Sequence, residues 1–308
     1  MNEPVNVLNV KDLQIRTAFG LPVKGVSFTV GAGECLGVVG ESGSGKSLSL
    51  RAISGVLPRG VQVDSGTTEV RGRSAMIFQE PMTTLNPTMR VGDFIAEGPR
   101  AQGVGKAEAR RRAVELLTEV GVPDPAVRAR AWPHELSGGL RQRVMIAAAL
   151  AVEPSVLLCD EPTTALDTTV QAQLLALIDR LRRERGMAIV FVSHNLAVVS
   201  RIAQRVLVMY AGRGVEEGPT DEILRRPKHP YTQALIGAIP KPGVAAGHLP
   251  TIAGAPPEPS AGLVGCAFAP RCPSAQEVCS DQIPATVQVT SGHTAGCHFA
   301  SPIPEKVL

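Results

Sequence analysis

The chain has 308 residues with 31 basic and 28 acidic side chains, and its net charge of +3 argues against a dedicated nucleic-acid binder, whose basic surplus is larger and clustered. An apolar fraction of 44% provides for a buried core, and a charged fraction of 19% excludes wholesale disorder. The longest apolar run, Val144 to Val152, is too short to span a bilayer, and the first residues lack a basic start followed by an apolar stretch, so a cytoplasmic protein with reduced cysteines is expected.

In chain order, residues 5–15, 26–30 and 35–40 read as strands. A glycine-rich segment follows, then a helix from near Lys46 that stops before Pro58. Residues 61–80 suggest short strands around a turn at Asp64, Ser65 and Gly66. From Met82 to about Val152 the helical period dominates. Ala113, Leu116, Leu117 and Val120 form one apolar stripe ended by Gly121 and Pro123, with Arg110, Arg111 and Arg112 on a solvated face. Residues 155–160, 187–194 and 205–212 are short apolar strands of the kind buried in a parallel sheet. Between the first two lies a helix over 168–183, with Val170, Leu174, Leu177, Ile178 and Leu181 on one face. Alternating strands and helices predict an α/β layered sheet with a helical subdomain inserted at about 82–150. After Pro240, six prolines within residues 240–262 mark a linker. Four of the six cysteines follow it.

The segment Gly40-Glu41-Ser42-Gly43-Ser44-Gly45-Lys46-Ser47, after an apolar strand and before a helix, has the form of a phosphate-binding loop. Its glycines let peptide N–H groups point at phosphate oxygens, Lys46 suits the β- and γ-phosphates, and the Ser47 hydroxyl suits Mg²⁺. The strand ending in Asp160 and Glu161 presents two acids at the carboxyl edge of a sheet, where α/β proteins bind ligands. Asp160 suits Mg²⁺ through a water, and Glu161 suits a general base acting on the attacking water. Ser137, Gly138 and Gly139 open a helix and form a second anion-binding geometry, redundant beside the first loop unless it serves another nucleotide.

The combination GESGSGKS, LSGG and LLCDEP resembles the ABC ATPases, with their Walker A, signature and Walker B motifs. The resemblance implies an α/β P-loop NTPase of ABC type with an antiparallel β subdomain, an inserted helical subdomain and, here, a small C-terminal cysteine-rich extension. In that family two ATPase subunits pair head to tail, each signature closing over the partner's nucleotide. On this resemblance Gln79 matches the Q-loop glutamine, near Mg²⁺ and the γ-phosphate. Asp167 matches the D-loop aspartate, and His194 matches the switch histidine at the γ-phosphate. Phe19 corresponds to the aromatic that stacks on adenine, although a packed role is equally open. The strings MIFQEPMTTLNPTMRVG, LSGGLRQRVMIA, DEPTTALDTTVQAQ and HPYTQALIGAIP are similar to dipeptide, oligopeptide and nickel importers over essentially the whole chain. An apolar Leu140 in LSGGLRQR resembles the first of the two ATPase subunits in such systems. It implies a heterodimer with unequal sites, working with two membrane permeases and, indirectly, a solute-binding protein. The location implied is the cytoplasmic face of the inner membrane.

Cys266, Cys272, Cys279 and Cys297 are separated by five, six and seventeen residues. Four thiolates suit a [4Fe–4S] cluster or a structural zinc, and the close cysteine pairs usual for zinc are missing. The importer resemblance implies the cluster; with zinc instead, His293 and His298 are spare ligands. Cys35 and Cys159 read as small core residues. The expected domains are an ATPase over 1–240, a linker over 241–262 and a metal-binding region over 263–308. The competing class, a soluble ABC-type ATPase acting on DNA or ribosomes, is opposed by two features. Ser137 follows Lys46 by only 91 residues, too few for long coiled-coil arms, and no second cassette is present. Peptides, nickel complexes, glutathione-like molecules and opines all remain open as transported solutes.

Overall fold

The structure is a computed structural model that describes residues 6–79, 84–164, 166–239, 252–260 and 264–301. Strands β1 (Asn6–Thr17), β2 (Gly20–Gly31) and β3 (Cys35–Val39) lead to helix α1 (Lys46–Ile53), then β4 (Gln62–Val70) and β5 (Ser74–Ile77). The long helices α2 (Val91–Ala101), α3 (Lys106–Glu119) and α4 (Gly138–Leu150) follow. After β6 (Val156–Asp160) come α5 (Thr168–Arg185), β7 (Ala188–Ser193), β8 (Arg205–Tyr210) and β9 (Arg213–Pro219). Helix α6 (Pro230–Gly237) and the strands β10 (Val287–Thr290) and β11 (His293–Ala295) complete the set used below.

The chain divides into two compact units, one of residues 1–8, 30–34 and 70–190, the other of residues 9–29, 35–69 and 191–308. In the first unit β5 and β6 pair in parallel, Ile77 opposite Cys159, and every residue of β6 is buried. The helical stretch expected between 82 and 150 is there; its first two residues lie outside the described ones. Ala109, Ala113, Leu116 and Leu117 bury one face of α3, and the positive φ of Gly121 ends the segment. Arg110 pairs with Asp93 at 2.7 Å, and Arg111 and Arg112 pair with Glu108 at 2.5 and 3.1 Å, which is the expected solvated face. The apolar run 144–152 is the buried interior and end of α4, where Val144, Ile146, Ala147 and Leu150 have no exposed surface. On α5 the buried face is Leu174, Leu175, Leu177, Ile178 and Leu181; Val170, expected with them, is only half-buried.

In the second unit the strands run in the order β10-β11-β9-β8-β3, with β3 and β8 parallel and the remaining pairs antiparallel. A separate sheet has the order β2-β1-β4. The two-residue connection at Ala18 and Phe19 makes β1 and β2 an antiparallel hairpin, the predicted β subdomain.

One expectation fails here. No turn interrupts residues 64–66; β4 runs through them, with Gly66 at φ +86° inside the strand. The left-handed residue is a kink in a continuous strand, set where the chain crowds β1. A Cβ on Gly66 would stand 2.4 Å from the Asp12 carbonyl oxygen. Arg16 and Asp64 tie the two strands beside it, Nε to Oδ1 at 2.6 Å and Nη2 to Oδ2 at 2.9 Å. The strands β9 to β11 leave no clear alternation in the sequence, and they extend the edge of the sheet. The linker expected over 241–262 falls largely outside the described residues.

Gly66→Ala is expected to lower stability by about 1 kcal/mol or more, from left-handed strain together with contact against a backbone atom that has no rotamer to escape into. Urea unfolding of the two proteins measures the difference, and equal midpoints would show that β4 shifts without cost.

Candidate functional site

In the second unit the phosphate-binding loop starts from β3, all five of whose residues are buried, Cys35 among them. The loop can follow its path only with glycine at two points. A Cβ on Gly40 would sit 2.2 Å from the Met209 carbonyl oxygen on β8. Gly45, at φ +98°, would meet the Pro22 carbonyl oxygen at 2.7 Å. Helix α1 begins at Lys46, so its unpaired N–H groups and positive dipole end face the loop. The buried Lys46 ammonium donates to the Gly40 and Glu41 carbonyl oxygens, both at 2.8 Å, and to Ser44 Oγ at 3.3 Å. A cation held at a helix N-terminus beside a glycine-rich loop suits a phosphorylated ligand.

Glu41 is held from three sides. Its carbonyl takes the Lys46 bond, and its N–H donates to the Tyr231 hydroxyl at 2.8 Å. Its carboxylate receives a two-pronged pair from Arg271, Nη1 to Oε2 at 2.7 Å and Nη2 to Oε1 at 3.0 Å. Tyr231 belongs to the HPYTQAL string; Arg271 lies between Cys266 and Cys272. Neither partner was identifiable in the sequence, since 190 and 230 residues respectively separate them from Glu41. Phe268 packs against Tyr210 and Tyr231 with ring centroids 5.2 and 5.4 Å away, so an aromatic cluster anchors the cysteine-rich segment beside the loop.

Beneath that cluster is a buried polar network. Glu216 accepts from the backbone N–H of Lys228 at 2.7 Å and of His229 at 2.9 Å, and contacts His293 Nε2 at 2.8 Å. His229 Nδ1 accepts from the Tyr231 N–H at 3.1 Å and so caps α6. Burial lowers the His229 pKa to about 4, against a smaller upward pull from Glu216. Burial pushes the Tyr231 phenol well above its ordinary value. His293, a spare zinc ligand in the sequence reading, is committed to Glu216, and His298 Nε2 lies 2.9 Å from the Gln282 carbonyl oxygen. Phe19, at the β1–β2 turn, is 81% exposed, which rules out the packed alternative and leaves its ring open to a ligand. His194 is exposed immediately after the buried strand β7.

In the first unit the β5–β6 register brings Gln79 and the acidic pair to the carboxyl ends of adjacent parallel strands. Asp160 is buried, while Glu161 is half-buried and takes φ +47°, a left-handed conformation that costs a non-glycine residue energy. Thr164 Oγ1 donates to Glu161 Oε2 at 3.0 Å, which helps aim the carboxylate. Ser137 caps α4, accepting from the Leu140 N–H at 3.4 Å, and the first turn follows with Gly138 exposed and Gly139 half-buried. Asp167 caps α5, accepting from the Thr169 and Val170 N–H groups at 3.0 and 2.9 Å. Cys159 is fully buried in β6, a core residue as expected.

The cysteine-rich segment closes on itself: the Cys266 N–H donates to the Cys279 carbonyl oxygen at 2.7 Å. Burial raises the Cys266 thiol pKa, the Phe268 and Ala269 N–H groups lower it, and the charges of Cys279 and Cys297 raise it further. Cys272 is likewise raised by burial, lowered by the Ser274 N–H, and raised by Cys297 and Cys279. Cys266 and Cys272 are therefore each within electrostatic reach of Cys279 and Cys297. Among the described residues no three His, Cys, Asp or Glu side chains are placed to hold a metal ion. No described helix is long and apolar enough to cross a membrane.

Residues 23–164 match the ABC transporter family model, and residues 215–279 match that of the oligopeptide/dipeptide transporter C-terminal region. A peptide import ATP-binding protein of Brucella melitensis is 44% identical over 327 residues, spanning 94% of this chain and 96% of its own. A peptide ABC transporter ATP-binding protein of Sinorhizobium fredii is 44% identical over 319 residues, with 94% of each chain covered. Among solved structures, cbiO1 of the Clostridium perfringens cbiONQ complex superposes with a TM-score of 0.64 at 25% identity, over 73% of this chain and 92% of that one. A dimeric post-hydrolysis ATP-binding cassette with ADP and Pi gives 0.61 at 25% identity, over 69% and 98%.

The neutral, buried His229 predicts a pH dependence. Its folded pKa of about 4 lies below the unfolded value of 6.5, so the unfolded chain takes up the proton first as pH falls. Stability contributed by the neutral imidazole is full above pH 6.5 and declines toward pH 4, by on the order of 3 kcal/mol. His229→Asn keeps an acceptor for the Tyr231 N–H without the titration, so its stability should fall less steeply in that window. Parallel slopes in urea titrations would remove His229 as the cause.

Proposed function

The chain belongs to the ATP-binding subunits of ABC transporters, and we propose that it hydrolyses ATP to power import of di- or oligopeptides through a membrane permease. The observation carrying this reading is the loop at 40–47, with Lys46 enclosed by its carbonyls at the start of α1, in a chain whose near full-length relatives are peptide import ATP-binding proteins. The match over 215–279 to the oligopeptide/dipeptide transporter C-terminal region supports the same class of solute. A soluble ATPase acting on DNA or ribosomes is disfavoured by these relatives.

The roles follow from the chemistry of the side chains. The N–H groups of Ser42, Gly43 and Gly45, with those of the first turn of α1, wrap the phosphates, and Lys46 neutralises the β- and γ-oxygens. Ser47, Asp160 and Gln79 would hold Mg²⁺, which when bound offsets charge on the same oxygens. Glu161 accepts a proton from water while the water oxygen bonds to the γ-phosphorus; the bond to the β–γ bridging oxygen breaks, and ADP and phosphate depart. His194 contacts the γ-phosphate, and Phe19 stacks on adenine. Ser137, Gly138 and Gly139 close over the nucleotide of a second ATPase subunit, with Asp167 between the two sites. The apolar Leu140 supports a heterodimer, and two permease subunits at the inner face of the cell membrane complete the assembly. The ATPase body runs to about residue 240, and the cysteine-rich region begins near 263.

Cys266, Cys272, Cys279 and Cys297 would hold a [4Fe–4S] cluster, which when bound cross-links four segments of the tail. Cys266 and Cys272 each lie within electrostatic reach of Cys279 and Cys297, with N–H donors on the first two sulfurs, which supports a common ligand set. Protein purified without oxygen should be brown and carry about four irons per chain. One zinc and no colour would favour the other metal.

Glu161→Gln should bind ATP normally while turnover falls by about a hundredfold or more, trapping a closed ATP-bound dimer. Lys46→Ala should lose most ATP affinity. Normal turnover in the first variant, read by phosphate release, would remove Glu161 as the base; unchanged binding in the second would sink the phosphate-loop reading.

A further inference from the structure

We propose that Arg271 is a positioning residue for the phosphate-binding loop, neutralising Glu41 inside it, and that the four-cysteine region sets nucleotide affinity by holding Arg271 there. The proposal rests on the reading that residues 40–47 bind the nucleotide.

Glu41 is an awkward residue in such a loop, because a carboxylate beside the polyphosphate of ATP repels the ligand the loop must hold. Arg271 removes that difficulty. All five of its N–H donors are used: two on the Glu41 carboxylate, one on the Tyr210 hydroxyl at 3.1 Å, and one each on the Ile252 and Ala253 carbonyl oxygens at 3.2 and 2.8 Å. Its guanidinium lies 5.7 Å from the Tyr210 ring centroid and 6.0 Å from that of Phe268. The side chain is only 5% exposed and Glu41 25%, so water screens the pair poorly. A surface staple has none of this enclosure.

What carries the arginine is the cysteine segment. Arg271 ends the short turn Ala269–Arg271 and immediately precedes Cys272. The turn is closed by Arg271 N–H to the Phe268 carbonyl oxygen at 2.9 Å and Cys272 N–H to the Ala269 carbonyl oxygen at 3.2 Å. A change at the thiols that loosens this turn moves the guanidinium and exposes the loop to its own carboxylate. The coupling is reciprocal: whatever fixes the cysteine segment favours nucleotide, and bound nucleotide favours the ordered segment.

The test measures the affinity of the full-length chain for mant-ATP with Mg²⁺, with circular dichroism confirming the fold of each variant. R271A is expected to weaken binding about tenfold, and E41Q, which removes the charge that Arg271 answers, is the reference background for the cycle. The double variant E41Q/R271A should bind almost as tightly as E41Q, because without the carboxylate nothing remains to neutralise. C272S should weaken binding in the wild-type background and leave it unchanged in the E41Q background. Should R271A fail to fold, R271Q keeps hydrogen-bond donors without the charge and is expected to show the same weakening. Folded R271A or R271Q that binds like wild type, or equal loss with and without E41Q, overturns the proposal. C272S at wild-type affinity overturns the part assigned to the cysteine region. K46A separates the premises: if it too binds normally, the nucleotide reading of the loop has failed, and if it alone loses binding, only the role of Arg271 has.

Discussion

The loop at residues 40–47 holds its shape only while its polar groups are tied, and in this chain Glu41 carries three such ties. Its N–H is taken by Tyr231, its carbonyl by Lys46 and its carboxylate by Arg271, so all the polar groups of one loop residue are tied. Two of those ties come from the C-terminal part of the chain. The loop's shape is therefore a property of packing as well as of glycine, and the aromatic contacts among Tyr210, Tyr231 and Phe268 supply the packing.

The first unit uses a different device. Parallel strands buried along their whole length leave polar groups only at their ends, and Asp160, Glu161 and Gln79 are found there. Glu161 takes a left-handed backbone that ordinary residues avoid, and Thr164 braces its carboxylate. Strain of this kind persists where surrounding structure over-determines a conformation, as expected for a group that must be aimed and not merely present. Ser137 and Asp167 meanwhile serve as helix caps, so the backbone donors at both helix starts are organised by the chain itself.

The C-terminal region joins the ATPase in two ways. As β10 and β11 it extends the sheet beyond β9, and as the cysteine segment it reaches the phosphate loop through Arg271. Glu216 on β9 lies where these roles meet, accepting from the Lys228 and His229 peptides and facing His293 from β11. A buried carboxylate engaged by so many partners is high-stakes chemistry, because removing any one leaves a polar group uncompensated. That gives a physical reason for the HPY string to sit at this place in the fold.

The sequence by itself determined the loop at 40–47, the acids at 160 and 161, the helix starts at Ser137 and at 168, and the alternation of strand and helix. Each of these is written in neighbouring residues: glycine where φ is unusual, a carboxylate or hydroxyl before a helix, a run of apolar residues for a buried strand. It misplaced a turn at Gly66, because a left-handed glycine in a continuous strand carries the same local signal as a turn. Tertiary structure alone decided that Arg271 answers Glu41, that His293 belongs to Glu216 instead of standing free as a metal ligand, and that Phe19 is exposed. An ion pair spanning 230 residues leaves no period, spacing or cap in the chain. It exists only once the strands and the aromatic cluster have brought two distant segments to the same place.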